Sequence, residues 1–265
     1  MTDGGPVTAL PPTPLTPRTL VSETVLVLGV SLGASAVWSL LSIVRKLTAE
    51  TPLSAQTTSM NTSATPDRPW LDLAYQLTGI VLALVPVLLA LHLLGRERPG
   101  RWDAWRGMGL DLRRPVPDAA LGLGLAALIG IPGLGLYLAA RSLDLNTTVS
   151  PANLEAVWWA LPVLVLAAVQ NAVLEEAVMV GYLFTRWGQA GWSTLTIVLT
   201  SALVRGSYHL YQGFGGFVGN VAMGLLLGWV YTRTRRAMPL IVAHALLDVV
   251  AFVGYAVLAD RVGWL

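Results

Sequence analysis

The stretch 156–185, AVWWALPVLVLAAVQNAVLEEAVMVGYLFT, contains only two charged side chains, Glu175 and Glu176. An α-helix crosses the hydrocarbon core of a bilayer with about 20 apolar residues, so this stretch is long enough to span a membrane and to include an interfacial turn. The two glutamates lie deep within it, where a charge costs roughly 2.5 to 3.5 kcal/mol on insertion scales. The stretch therefore predicts a membrane helix that carries polar residues for a functional reason.

Composition extends this interpretation to the whole chain. Of the 265 residues, 54% are hydrophobic and 12% are charged, and so few charges could not cover the surface of a soluble protein. Six further apolar runs are long enough, or nearly so, to cross a membrane: 24–44, 73–94, 117–140, 194–212, 217–232 and 238–258. The predicted fold class is all-α, a polytopic transmembrane helical bundle of about seven helices.

Four segments are predicted along the chain. Residues 1–20 hold five prolines and little apolar surface, which is typical of a disordered tail. Residues 21–116 are predicted to form N-terminal transmembrane helices with a basic interfacial loop, residues 117–258 a helical core, and residues 259–265 a C-terminal tail.

Basic residues between the apolar runs predict the orientation in the membrane. Alternating helices place eleven of them on one side: Arg18, Arg96, Arg98, Arg101, Arg106, Arg113, Arg114, Arg186, Arg233, Arg235 and Arg236. The other side receives Arg45, Lys46, Arg68, Arg141 and Arg261. The excess favours a cytoplasmic N terminus, and the Arg-rich, Lys-poor composition favours a bacterial plasma membrane. Basic clusters of this kind suit membrane lipids as partners and predict no nucleic acid.

Ionisable residues inside the predicted helices all fall within the last 100 residues: Glu175, Glu176, Arg205, His209, His244 and Asp248. Three pairs are spaced four residues apart and so share a helix face: Asn171 with Glu175, Arg205 with His209, and His244 with Asp248. Charges in lipid require mutual pairing or a water-filled cavity. We therefore expect the three polar faces to meet at one interior site.

These residue types predict hydrolytic chemistry. Glu175 can act as a general base on a water that His209 holds or activates. His244 and Asp248 can stabilise an oxyanion, or all four side chains can ligate a divalent metal such as zinc. Glu176 and Arg205 are expected to form an ion pair. Because the chain has no cysteine, thiolate nucleophiles and Cys-ligated metals are excluded.

Three motifs surround these residues: EEAVMVG at 175–181, RGSYH at 205–209 and HALLD at 244–248. They resemble the EExxxRG, FxxxH and HxxxN/D motifs of the CPBP family of CAAX proteases and bacteriocin-processing enzymes, also called the Abi family. The resemblance covers roughly residues 117–258. It implies a helical membrane peptidase in which Glu175 and His209 act on the attacking water while His244 and Asp248 hold the oxyanion.

Two departures from the family pattern matter. Val180 stands where the motif has arginine and Arg205 where it has phenylalanine, so we hypothesise that the cation has moved to the next helix while keeping Glu176 paired. Asp248 replaces asparagine, and an ionised carboxylate repels an oxyanion. The second departure weakens an oxyanion role for Asp248 and makes metal ligation more plausible.

The expected function is that of an intramembrane endopeptidase, cleaving a peptide or protein substrate near the cytoplasmic half of the membrane. Prenylated CAAX proteins are the family's best-known substrates, but such prenylation is not expected in a bacterium. Two alternatives remain open. A non-catalytic scaffold or immunity protein would use the same helices if Val180 marks loss of activity, and a proton-coupled transporter also uses buried Glu, His and Asp.

Overall fold

The computed structural model describes residues 15–96 and 101–261. The helices found there are α1 Pro17–Gly29, α2 Leu32–Leu47, α3 Pro69–Ala83, α4 Val85–Gly95, α5 Arg101–Gly107, α6 Pro115–Ser142, α7 Ala160–Glu175, α8 Leu183–Gln189, α9 Thr194–His209, α10 Phe214–Thr234 and α11 Met238–Leu258. A π-helical turn, Glu176–Tyr182, joins α7 to α8. Short 3₁₀ turns lie at Leu53–Ala55, Leu210–Gln212 and Ala259–Arg261.

The predicted all-α bundle is confirmed. Within the described residues, five helical stretches are long and apolar enough to cross a membrane: Pro69–Gly95, Pro115–Ser142, Ala160–Gln189, Phe214–Thr234 and Met238–Leu258. The bent pair α1 and α2 makes a sixth if it counts as one span. The remaining predicted helix, near 194–212, is present as α9 with 16 residues. The segment boundaries at 116 and 258 stay predictions.

The first span is broken, which the sequence did not predict. Helices α1 and α2 meet at an angle of 56°. A Cβ on Gly33 would lie 2.8 Å from the carbonyl oxygen of Leu28, so the bend needs glycine there. Helix α1 also begins at Pro17, inside the predicted tail, because Thr16 caps it by accepting a hydrogen bond from the Thr19 amide. The predicted disorder is wrong for the last residues of 1–20, and residues 1–14 lie outside the described part.

The bundle has two ends. We call the end that holds Arg96 and Arg186 the arginine side, and the end that holds the short strands Thr57–Ser59 and Thr148–Ser150 the strand side. On the arginine side, Arg186 of α8 and Arg96 at the end of α4 both pair with Glu23 of α1. On the strand side, Lys46 of α2 contacts the turn that follows α9. The pair α1 and α2 therefore runs from one side to the other beside α9, as a broken span rather than a loop that returns to the same side.

Two basic residues used for the orientation are not loop cations. Arg186 lies fully buried within α8, where it donates to the Leu93 carbonyl oxygen at 2.7 Å and to Gln189 Oε1 at 3.0 Å. Lys46 is also buried. Interior hydrogen bonds explain both positions, so neither residue bears on the charge balance of the loops, and the cytoplasmic N terminus stays a prediction.

A small folded cap covers the strand side. Strands β1 Thr57–Ser59 and β2 Thr148–Ser150 pair in parallel, with Thr58 opposite Val149. Lys46 Nζ fastens this ladder to the bundle by donating to Thr58 Oγ1 and, at 2.6 Å, to the Tyr211 carbonyl oxygen. The cap joins the loop before α3 to the loop before α7 and thus ties the two halves of the chain together.

Candidate active site

The two glutamates lie where the regular helix gives way to the π-helical turn. Glu175 is the last residue of α7 and Glu176 begins the turn, and both are buried. A π turn displaces backbone carbonyls from their usual partners. Hydroxyl groups meet two of these carbonyls, because Ser201 Oγ donates to Met179 O and Thr185 Oγ1 to Gly181 O, at 2.8 and 2.7 Å. The irregular turn is therefore well supported at the point where the carboxylates enter the interior.

Arg205 of α9 reaches both carboxylates. Its NH2 lies 2.6 Å from Glu176 Oε1 and its NH1 3.3 Å from Glu175 Oε2. Close packing makes room for this side chain, because a Cβ on Gly224 of α10 would lie 3.2 Å from Arg205 Cδ. The expected ion pair with Glu176 is present, and it includes Glu175 as well.

His244 of α11 bonds to the same Glu176 oxygen that Arg205 contacts. Its Nδ1 lies 2.8 Å from Glu176 Oε1, and because a carboxylate only accepts, Nδ1 carries the hydrogen. The second nitrogen, Nε2, lies 4.0 Å from Glu175 Oε2 and 3.8 Å from Asp248 Oδ1. Facing two carboxylates, Nε2 is well placed to act as a donor in the imidazolium form.

Tyr208 is a site residue that the sequence did not predict. Its hydroxyl donates to Glu175 Oε2 at 2.6 Å, and its ring is buried. The sequence shows no direct sign of this bond, because tyrosine is common in membrane helices and because the bond joins two different helices. Its spacing of three residues from Arg205 is the one signal in the sequence that places both on one face of α9. Together Tyr208 and Arg205 hold Oε2 of Glu175 and leave Oε1 for another partner.

His209 faces that free oxygen across a gap. Its Nε2 lies 3.7 Å from Glu175 Oε1, too far for a good direct hydrogen bond. Neither ring nitrogen has a hydrogen-bond partner among the described residues. The side chain is 16% exposed. A polar gap of this length is where a bridging water is expected.

Asp248 and Asn171 complete the group. The Asn171 amide Nδ2 lies 3.4 Å from Asp248 Oδ2, and the Asp248 side chain is 21% exposed, the largest value among the six predicted site residues. The structure thus brings all six predicted ionisable residues into one cluster between α7, α9 and α11, with Tyr208 and Asn171 added.

The cluster lies in the interior of the bundle, between the arginine side and the strand side. Glu175 is halfway along Ala160–Gln189, and His209 is the last residue of α9, directly before the turn that touches the cap. Met60 of the cap contacts this turn as well, since Tyr211 Oη lies 3.6 Å from its sulfur. Helix α9 therefore places His209 toward the strand side, whereas His244 is the seventh residue of α11, which begins on the arginine side. The expected position near the cytoplasmic half of the membrane stays a prediction.

The predicted zinc finds no prepared ligand set. In residues 15–96 and 101–261, no group of three or more His, Asp or Glu side chains is arranged to hold a metal ion. Glu175 Oε2 already accepts from Tyr208 and Arg205, and His244 Nδ1 is bonded to Glu176. As arranged, the residues do not fit a metal, and metal ligation stays a prediction.

Comparison with known proteins finds one family that part of the chain resembles. Residues 157–250 match the family model described as type II CAAX prenyl endopeptidase Rce1-like. The match agrees with the resemblance to the CPBP family that the three motifs carry. The match contains the whole cluster, from Asn171 to Asp248, and omits the broken first span, the α3–α4 span and nearly all of the cap. No curated protein and no solved structure matches the chain.

Both departures from the family motifs lie within the matched residues. In this segment Val180 is buried in the π-helical turn where the motif has arginine, and the buried cation is Arg205, which comes from α9. Asp248 places a carboxylate, rather than an amide, at the last position of the third motif, and it faces His244 and Asn171.

Proposed function

We propose that this protein is an intramembrane endopeptidase that hydrolyses a peptide bond with a water activated by Glu175 and His209. The observation that carries the proposal is the 3.7 Å distance between Glu175 Oε1 and His209 Nε2. The other carboxylate oxygen, Glu175 Oε2, is held by the Tyr208 hydroxyl, so Oε1 is the oxygen that faces His209. A water beside the line that joins these two atoms, about 2.8 Å from each, can bond to both groups. Such a water has a base on one side and an orienting ring on the other, which is the arrangement that general-base hydrolysis requires.

The reaction then runs through this chain's own side chains. Glu175 Oε1 takes a proton from the water as its oxygen attacks the substrate carbonyl carbon, and a tetrahedral oxyanion forms. His244 Nε2–H donates to that oxyanion. When the C–N bond breaks, protonated Glu175 returns the proton to the leaving amine, so that a carboxylic acid and an amine are released and Glu175 is again a carboxylate.

Arg205 and Glu176 support this chemistry by positioning His244 and by balancing charge. Glu176 holds His244 by the Nδ1 bond, and Arg205 balances the charge of both glutamates. A buried carboxylate without a cation would cost several kcal/mol. Arg205 therefore supplies from α9 the charge that the family motif places five residues after its first glutamate.

The substrate is proposed to be a peptide or protein at the membrane. Apolar helices and the protease family indicate an integral membrane protein. The family description names prenyl endopeptidases. Since the Arg-rich composition favours a bacterial plasma membrane, where prenylated proteins are not expected, we propose an unprenylated apolar segment as the substrate, with the N terminus of the protease in the cytoplasm.

Purified protein in liposomes tests this proposal against its alternatives. Wild-type protein, Glu175→Gln and the exposed control Glu155→Gln are incubated with a library of peptides from bacterial membrane proteins, and the products are identified by mass spectrometry. Cleavage by wild type and by Glu155→Gln, but not by Glu175→Gln, supports the peptidase. Cleavage should not depend on a pH gradient. Flux of intact peptide that follows a pH gradient would indicate a transporter, and no cleavage in any sample would indicate a scaffold.

A further inference from the structure

Asp248 raises a difficulty within the proposed mechanism, on which this inference rests. An oxyanion is stabilised by hydrogen-bond donors, often two of them, aimed at the position where the charge develops. His244 supplies one donor through Nε2. An ionised Asp248 has only acceptor oxygens and would repel the oxyanion, so His244 and Asp248 together leave the site short of one donor.

Asn171 is an amide donor beside Asp248. It is four residues before Glu175 on α7 and therefore projects from the same face of the helix as the proposed base. Its Nδ2 lies 3.4 Å from Asp248 Oδ2, while Asp248 Oδ1 lies 3.8 Å from His244 Nε2. One carboxylate thus stands between two nitrogen groups on two different helices.

The amide orientation follows from the same contact. A carboxylate oxygen accepts and an amide oxygen also accepts, so the Asn171 group that faces Asp248 is its NH2. An amide nitrogen carries two hydrogens, and one of them bonded to Asp248 leaves the second for another acceptor. Among the described residues this second hydrogen has no protein partner, and the Asn171 side chain is only half-buried.

We infer that Asn171 is a catalytic oxyanion donor, and that Asp248 is a positioning residue that holds the Asn171 amide beside His244 by accepting its hydrogen bond. A second functional group has then changed helices in this protein. The cation comes from α9 through Arg205 rather than from position 180, and the amide comes from α7 through Asn171 rather than from position 248.

The inference is tested by removing the amide from α7 and asking whether an amide on α11 restores activity. Asn171→Leu keeps a similar volume and removes the donor, and it should lower kcat about 100-fold with KM unchanged, as the loss of an oxyanion donor does. Asp248→Asn added to Asn171→Leu places an amide on α11 and should return kcat to within about tenfold of wild type. Asn220→Leu is the matched control, because among the described residues Asn220 bonds only to Gly216 O of its own helix, and it should leave kcat unchanged. If Asn171→Leu does not accumulate in membranes, Asn171→Ala replaces it with the same expectation.

Each outcome decides between the claims. If wild type cleaves and Asn171→Leu stays within about threefold of it, the inference is overturned and the proposed function stands. The same holds if the double variant is no faster than Asn171→Leu alone, because a merely structural asparagine would not be replaced by an amide on another helix. If wild type cleaves no peptide, the proposed function fails and the inference fails with it.

Discussion

Arg205 NH2 lies 2.6 Å from Glu176 Oε1, and the two side chains are 1% and 0% exposed. No loop or solvent can replace either partner at this depth. The contact joins α9 to the start of the π-helical turn, and through Glu176 it also fixes His244. Stability and catalysis should therefore both depend on it.

Removal of the cation should destabilise the fold. Arg205→Leu removes the guanidinium from two buried carboxylates and leaves His244 as the remaining partner of Glu176, and breaking a buried ion pair typically costs about 3 to 5 kcal/mol. Chemical unfolding in detergent, followed by tryptophan fluorescence, measures the loss. Adding Glu176→Gln should recover part of it, because the buried charge is then gone. An Arg205→Leu protein as stable as wild type would show that the pair contributes little.

The cation should be movable between the two helices. Val180→Arg with Arg205→Phe restores the family pattern at both positions. Each single variant should lose activity, since one adds an unpaired buried cation and the other removes the existing one. The double variant should recover a measurable part of the cleavage rate. Failure of the double variant, when it accumulates normally in membranes, would contradict the idea that Arg205 stands in for the motif arginine.

Tyr208 should matter for turnover rather than for substrate binding. Tyr208→Phe removes a hydrogen bond to a charged group, worth about 1.5 to 3 kcal/mol, and frees Glu175 Oε2 to rotate. We expect kcat to fall at least about tenfold with KM unchanged. Tyr75→Phe, at an exposed tyrosine of α3, is the matched control. Equal kcat in the two variants would remove Tyr208 from the site.

Asp111, on the arginine side and outside the spans, should make stability depend on pH. Its pKa is lowered by a hydrogen bond from the Arg113 amide and by the Arg236 guanidinium, which lies 3.1 Å away. A carboxylate with a lowered folded-state pKa stabilises the fold above its unfolded pKa of about 4, and this stabilisation is lost as pH falls through the folded value. Wild type should therefore unfold at a higher temperature than Asp111→Asn at pH 7, and the difference should close toward pH 3. A difference that is constant with pH would contradict this.

Much of the fold follows from the apolar runs, because a helix in lipid needs little beyond length and hydrophobicity. The break between α1 and α2 did not follow, since both halves are apolar and the bend depends on how Gly33 meets the preceding turn. The sequence also did not predict the strands of the cap. They are three residues each and form only where two loops far apart in sequence meet.

The sequence predicted which ionisable residues cluster, but it did not predict which hydrogen bonds they form. The spacing of four residues correctly predicted that Arg205 and His209 lie on one face of α9, and that His244 and Asp248 lie on one face of α11. It could not show that His244 binds Glu176 rather than Glu175, because that depends on the π-helical turn. Tyr208 was missed for a similar reason, since its bond to Glu175 crosses between helices and a tyrosine carries no charge to mark it.

The most direct test of the account compares peptide termini in membranes of cells that carry wild type, Glu175→Gln or His209→Ala, at equal expression. The comparison works without an identified substrate, because any cleaved membrane protein yields a new terminus. The account predicts new termini with wild type only, absent to the same degree in both variants, because the water needs both groups. Identical termini in all three would contradict it and would make Glu175 and His209 structural partners in a scaffold.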